Sequence, residues 1–204
     1  MDRSDHWNAV FRTKGERDVS WFEHLPVLSI RMLEAAGLTQ ASCVIDVGGG
    51  DSRLVDQLLA RGLKCLAVLD ISATALERAR ARLGALGAGV IWIDADVTDS
   101  WSLKPMDIWH DRATFHFLID ATDRARYRKH VLDTLKPGGD LIIATFAPDG
   151  PERCSGLPVA RYSPDALARE LGDQFALVET APYMHTTPRG VRQSFQYSRF
   201  KRHD

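Results

Sequence analysis

The sequence predicts an α/β fold: a mostly parallel sheet of seven strands with helices on both faces and an antiparallel hairpin at its C-terminal edge. Three observations lead there. Val44-Ile45-Asp46-Val47 is an apolar run that ends in Gly48-Gly49-Gly50. Two further apolar runs, Cys65 to Asp70 and Val90 to Ile93, each reach a carboxylate, Asp70 in one case and Asp94-Ala95-Asp96 in the other. Between the runs lie segments whose apolar residues recur at helical spacing.

In chain order, residues 1–24 carry Trp7, Phe11, Trp21 and Phe22, aromatics that a minimal sheet-and-helix fold does not need. They read as a lid segment or as a staple to the core. Leu25, Leu28, Met32, Leu33 and Ala36 give a helical pattern over 23–36 that stops at Gly37. The Val44 strand and its glycine turn follow, then a helix from Leu54 to Ala60, the Cys65 strand, and a helix from Thr74 to Leu86 with Arg78, Arg80 and Arg82 expected on its wet face. Val90 to Ile93 is the third strand, Met106 to Asp111 the fourth, Asp123 to Leu135 a helix and Asp140 to Phe146 the fifth strand. Ser163 caps a helix that has Pro164 at its first position and closes at Gly172. Alternation over 175–179 and 191–200 predicts an antiparallel hairpin joined by a long loop through Tyr183, His185 and Pro188, with Arg199 to Arg202 as a solvated terminus.

Composition bounds the function. The 204 residues, 45% of them apolar, suffice for one domain spanning 1–204. With 26 basic and 27 acidic residues there is no broad cationic field, so neither nucleic acid nor an anionic membrane is the expected partner. No apolar signal region opens the chain and no stretch is long enough to span a bilayer, which points to the cytoplasm. Cys43 and Cys65 lie in strand runs and Cys154 in a loop, a pattern read as reduced thiols without a disulfide framework. The seven histidines lack paired metal-ligand spacing, so no metal is expected.

The turn is built to touch a ligand. Glycines at 48, 49 and 50 let the backbone take positive φ and approach a bound group, and the helix after them presents free N–H groups to the same space. Asp70, at the tip of the next strand, is placed to accept from ribose hydroxyls. Asp96, one strand further, suits an exocyclic amine. A dinucleotide is disfavoured because G-x-G-x-x-G counted from Gly48 puts Arg53 at its last glycine.

An acid, a G-x-G turn and a second acid closing the next strand resemble the signature of the class I S-adenosylmethionine-dependent methyltransferases. Asp46, Gly48 and Gly50 match it, Ser52 replaces a frequent third glycine, and Lys136-Pro137-Gly138-Gly139-Asp140 is similar to that family's turn into its fifth strand. The resemblance covers nearly the whole chain and implies a Rossmann-like sheet with S-adenosyl-L-methionine as cofactor. It further implies methionine over Gly48 to Gly50, Asp70 on ribose, Ile71 against adenine, and Asp96 near the adenine amine with Val97 beside it. Trp7, Phe11 and Trp21 join this cofactor set as lid aromatics.

The fourth strand tip, Trp109-His110-Asp111-Arg112-Ala113-Thr114-Phe115-His116, is the expected catalytic segment, with His110, Asp111 and Arg112 as its catalytic candidates. Asp111 is expected beside the cofactor to orient or deprotonate the acceptor, and Arg112 to hold an anionic substrate or thiolate. The other reading is an Asp111–Arg112 salt bridge with His110 packed at a strand end. The Trp7 to Phe11 spacing, Trp21-Phe22 and Asp111-Arg112-Ala113 resemble two branches of the family, the thiopurine S-methyltransferase-like enzymes and the small protein-lysine methyltransferases. The expected activity is therefore methyl transfer to a small soft nucleophile such as a thiol, the alternative being a lysine on a partner protein. A noncatalytic cofactor-binding module and an oxidoreductase are the readings from other classes. Cys154, Arg161, Tyr162, Tyr183 and His185 are further candidates for the rim of the acceptor site.

Overall fold

The computed structural model describes residues 2–203. The sheet contains β1 (Cys43–Val47), β2 (Cys65–Asp70), β3 (Ile91–Asp94), β4 (Met106–Arg112), β5 (Leu135–Phe146), β8 (Phe175–Thr186) and β9 (Arg192–Arg202). Their order is β3-β2-β1-β4-β5-β9-β8. The first five are parallel, and β9 runs antiparallel to both β5 and β8. Connections leave β1 and β4 in opposite directions, so the switch point lies between these two neighbours.

Side chains alternate across the sheet, and this alternation divides the core. On one face Val44 and Ile108 pack with α2 (Val27–Ala35), α3 (Leu54–Ala60) and α4 (Ala73–Leu83). On the other, Ile45, Val47 and Trp109 pack with α5 (Ala121–Thr134) and α6 (Pro164–Leu171). Asp46 and His110 are register partners on the first face, and Val47 pairs with Asp111 on the second. A one-residue step along β4 thus sends His110 and Asp111 to opposite sides.

Several expectations need correction. Cys43 and Cys65 are joined in a disulfide, because parallel pairing in register brings their Cα atoms to 4.6 Å. Arg82 is not on a wet face: it reaches back to Asp51 and, at 2.9 Å, to Asp56. Arg199 to Arg202 belong to β9, where Phe200 is fully buried and Arg199 pairs with Asp140 at 2.8 Å and Glu179 at 3.1 Å. Tyr183 and His185 lie within β8 rather than in a loop. Pro182 is tolerated there because β8 is an edge strand. The Lys136–Gly139 turn is absorbed into β5 as an irregularity of register. A short hairpin, β6 (Arg153–Cys154) with β7 (Leu157–Pro158), occupies the loop after β5.

The N-terminal segment contains α1 (Arg3–Thr13), and α2 starts only at Val27, after Pro26. No helix among the described residues is long and apolar enough to cross a membrane.

Candidate active site

Two adjoining cavities open at the carboxyl edge of the sheet, sharing Phe11, Trp21, Gly48 and Arg112 as a common wall. Open mouths included, they hold about 790 and 650 Å³ of empty space, within the roughly 300–1,000 Å³ of small-ligand clefts.

Gly48, Gly49 and Gly50 form the floor. Gly48 has φ +66, donates its N–H to Leu69 O at 2.7 Å, and has Thr114 Oγ1 where a Cβ would stand. Gly50 has φ +44, and a Cβ there would lie 2.8 Å from Asp70 Oδ2. At both positions a side chain would collide with the protein's own Thr114 or Asp70, so the turn closes in this form only with glycine. Asp70 is 8% exposed and accepts from the Ser72 N–H at 2.8 Å. Burial, helped by the charges of Asp46 and Asp94, pushes its carboxyl up to about 7 against hydrogen bonds from the Ser72 and Gly50 amides. Asp96 also lines the first cavity, with Oδ1 accepting from the Thr98 N–H and hydroxyl, both at 2.8 Å, and Oδ2 facing Arg3 at 3.3 Å. Ile71 and Val97 complete that end.

The N-terminal segment covers the opening. Ser4 Oγ donates to Ile71 O at 3.1 Å, and Asn8 Oδ1 accepts from Ser72 Oγ at 2.9 Å and the Thr74 N–H at 3.1 Å. Arg3 binds Asp123 as well as Asp96, and Glu16 accepts from Nε and Nη2 of Arg53, which lines the second cavity beside the glycine floor. Trp7 meets Trp21 edge-on at 5.8 Å and Phe117 at 5.1 Å, and Phe11 meets Trp21 at 5.9 Å. Trp7, Phe11 and Trp21 thus form an aromatic roof in which each ring has an edge-to-face partner.

Arg112 is the charged centre of the shared wall. Its Nη1 donates to Trp21 O at 3.0 Å, Nη2 lies 3.2 Å from Glu23 Oε1, and the guanidinium rests over Phe195 at 5.0 Å. Nε and Nη2 are buried without a hydrogen bond. Glu23 also accepts from the Tyr183 hydroxyl at 2.7 Å.

Asp111 behaves differently from the expectation. It is fully enclosed and lines neither cavity, accepting instead from the Tyr127 hydroxyl at 2.8 Å and the N–H groups of Thr114 and Phe115 at 2.9 and 3.1 Å. Burial pushes it up to about 6 despite those donors. The reason is the alternation of β4, which turns Asp111 toward α5; its task is to hold the strand-tip loop, where Ala113 takes φ +67. The alternative Asp111–Arg112 salt bridge is likewise absent from the geometry, since these neighbours face opposite ways. His110 is 2% exposed, bonded to Asp46 Oδ1 at 2.7 Å and Ser29 Oγ at 2.9 Å, and it forms part of the second cavity's wall with Asp46. His116 is buried, its Nδ1 accepting from the Phe146 N–H at 3.4 Å; burial and the Arg112 charge push it down to about 3.

Ala113 and Thr114 of the expected catalytic segment line the first cavity, and sequence reasoning missed Arg3, Phe117 and Leu118, which line it too. Phe117 and Leu118 follow directly on that segment, whereas Arg3 is brought in only by the docking of α1. Cys154 lines the same cavity with its thiol pushed up to about 11 by burial, so it stays protonated. Arg161 instead binds Glu152 at 3.0 Å on the surface, and Tyr162 packs on Phe115 across the sheet. Among the described residues no group of histidine, cysteine or carboxylate side chains is arranged to hold a metal ion.

Comparison with known proteins agrees with this geometry. Residues 44–139 match a methyltransferase-domain family. The zebrafish (Danio rerio) EEF1A lysine methyltransferase 2 is 26% identical over 160 residues, 71% of this chain and 69% of its own length. Among solved structures, one concerned with converting a disulfide bond into a thioacetal group during echinomycin biosynthesis superposes with TM-score 0.78 at 21% identity, over 98% of this chain and 93% of the other. The N-methyltransferase NodS of Bradyrhizobium japonicum, in complex with S-adenosylhomocysteine, gives 0.73 at 15% identity over the full length of both chains. The open glycine cradle, the carboxylates beyond it and the matched domain lead to one conclusion: residues 44–139 carry a methyltransferase domain, and the protein is an S-adenosylmethionine-dependent methyltransferase of Rossmann-like, class I fold, with S-adenosylmethionine as its cofactor.

Proposed function

We propose that the enzyme methylates a small soft nucleophile, a thiol or a related small molecule. One observation carries the reading. The wall at the strand tip offers the Arg112 cation amid Trp21, Phe117 and Ala113, while Asp111 is turned away and Glu23 is already engaged by Arg112 and Tyr183. Among the described residues no free carboxylate stands ready to take a proton at that wall. A thiol ionises near neutrality and needs no strong base, and Arg112 favours its anion. A lysine ammonium faces the opposite situation, since the Arg112 guanidinium repels it and disfavours its binding in the charged form.

In this reading Gly48 to Gly50 receive the methionine end beside Asp46, Asp70 the ribose hydroxyls, and Ile71, Asp96 and Val97 the adenine. Trp7, Phe11 and Trp21 exclude water and face the positive sulfur with their rings, worth roughly 0.5–2 kcal/mol. The bound cofactor supplies an activated methyl group for in-line displacement. The protein's own contribution is alignment, water exclusion and the charge of Arg112.

Two results are expected. With isotopically labelled cofactor, purified enzyme should label low-molecular-weight thiols and leave the proteins of a lysate unlabelled. A labelled protein band carrying methyl-lysine would establish instead the alternative suggested by the zebrafish relative's name. Separately, Asp70 accepts ribose hydrogens best when ionised, so cofactor affinity should rise with pH until the carboxyl at about 7 has titrated, then level off. Calorimetry in two buffers of different ionisation enthalpy should show proton release on binding below that pH. Asp70→Ala should cost about 1–3 kcal/mol of binding, and unchanged affinity would refute the ribose assignment.

A further inference from the structure

We infer that His185 is a positioning residue, locking Trp21 over the cleft as a doubly protonated imidazolium. The inference rests on the reading that the cleft beneath Trp21 is the cofactor site. His185 lies near the end of β8 and is 2% exposed. Its Nε2 is 2.6 Å from the carbonyl oxygen of Ser20, and its Nδ1 is 3.3 Å from Glu23 Oε1. Both neighbours only accept. A backbone carbonyl carries no proton, and Glu23 stays ionised: burial raises its carboxyl, but hydrogen bonds from His185 and Tyr183 and the Arg112 charge hold it below its ordinary value. A neutral ring has one nitrogen without a hydrogen, which leaves a lone pair against an oxygen; only the imidazolium donates to both.

The two gripped residues bracket Trp21. Its own carbonyl is held by Arg112 at 3.0 Å, and its indole forms part of the wall of both cavities. Three closely spaced anchor points, Ser20, Trp21 and Glu23, therefore fix one ring above the site. The titratable and charged groups around His185 are Glu23 on the lid, Tyr183 on its own strand, Arg112 on β4 beyond Glu23, and Tyr197 of β9 beside Arg112; Phe195 meets the imidazole edge-on at 6.1 Å. Two cations against one carboxylate leave positive charge at this end of the cleft, which matches an anionic acceptor.

The sign of the pH effect follows. The closed lid binds a proton that the open lid does not require. Closure is therefore favoured by protons and weakens as pH rises. The Asp70 carboxyl, pushed up to about 7, acts on binding in the opposite sense. Because it is present in every variant, it cancels when two proteins are compared at one pH.

Release of S-adenosylhomocysteine, followed by tryptophan fluorescence in a stopped-flow instrument, tests the inference. At about pH 6, His185→Gln should release it about tenfold faster than the wild type, and at about pH 8.5 the gap should shrink below about twofold, because few protons are then available to the wild-type lid. An equal ratio at both pH values overturns the inference. The wild-type protein also decides it without mutation: ring nitrogen shifts of His185 should report both nitrogens protonated at about pH 6, and one unprotonated nitrogen would refute it. Failure of the wild type to bind S-adenosylhomocysteine would overturn the cleft assignment instead, with the nitrogen shifts still deciding the state of His185.

Discussion

Gly48→Ala is expected to reduce cofactor affinity by at least about a hundredfold, roughly 3 kcal/mol. The residue has φ +66, a region where a Cβ is penalised, and the added atom would overlap Thr114 Oγ1. Thr114 has little freedom to yield. Its N–H donates to Asp111 Oδ1 at 2.9 Å and its hydroxyl to Val47 O at 3.3 Å, so moving it disturbs the loop that also carries Ala113. Titration calorimetry with S-adenosylhomocysteine measures the loss, and Gly37→Ala is the control. Gly37 has φ +81 with open space around it, so that substitution should lower stability without touching affinity. Equal affinities for both variants would contradict the placement of the cofactor over this turn.

Arg112→Met should destabilise the fold and remove most activity together. Glu23 would keep the Tyr183 and His185 donors but lose its guanidinium neighbour, and a half-broken buried ion pair costs about 3 kcal/mol. For a chain of this size that corresponds to a fall of about 6–12 °C in Tm. Activity should drop further than the folded fraction does, by about a hundredfold at a temperature where the variant is folded, because Trp21 loses its anchor and the acceptor its cation. Adding Glu23→Gln should restore part of the stability but not the activity. Wild-type turnover in Arg112→Met would eliminate the role proposed for this side chain.

Both effects arise at positions the chain itself advertises, yet they differ in how they could be read. Gly48 is visible because a glycine directly after an apolar run marks a backbone that must turn sharply or be approached closely. Asp70 is visible because a carboxylate at a strand tip needs a partner. The strands were equally legible, since period-two burial leaves apolar runs bounded by turns. Arg82 and Arg199 were less so. At helical or strand spacing they look solvated, but their carboxylate partners lie far along the chain, at Asp51 and Asp56 for one and Asp140 and Glu179 for the other. Asp111 shows the same limit more sharply. Its neighbourhood in the sequence is rich in chemistry, but a single step of the β4 pleat carries it to the α5 face and leaves Arg112 at the cleft.

Taken alone, then, the sequence determined the parallel sheet, the glycine turn and the acids beyond it, because those features depend on local periodicity and on residues whose backbone or charge admits few settings. Tertiary structure decided which charges meet: the Cys43–Cys65 bond, the α1 clasp through Arg3, and the grip of Arg112 and His185 on the Trp21 segment. Such pairings join residues tens to more than a hundred positions apart. They are set by strand register and by the face each side chain takes, and neither leaves a mark on the local sequence.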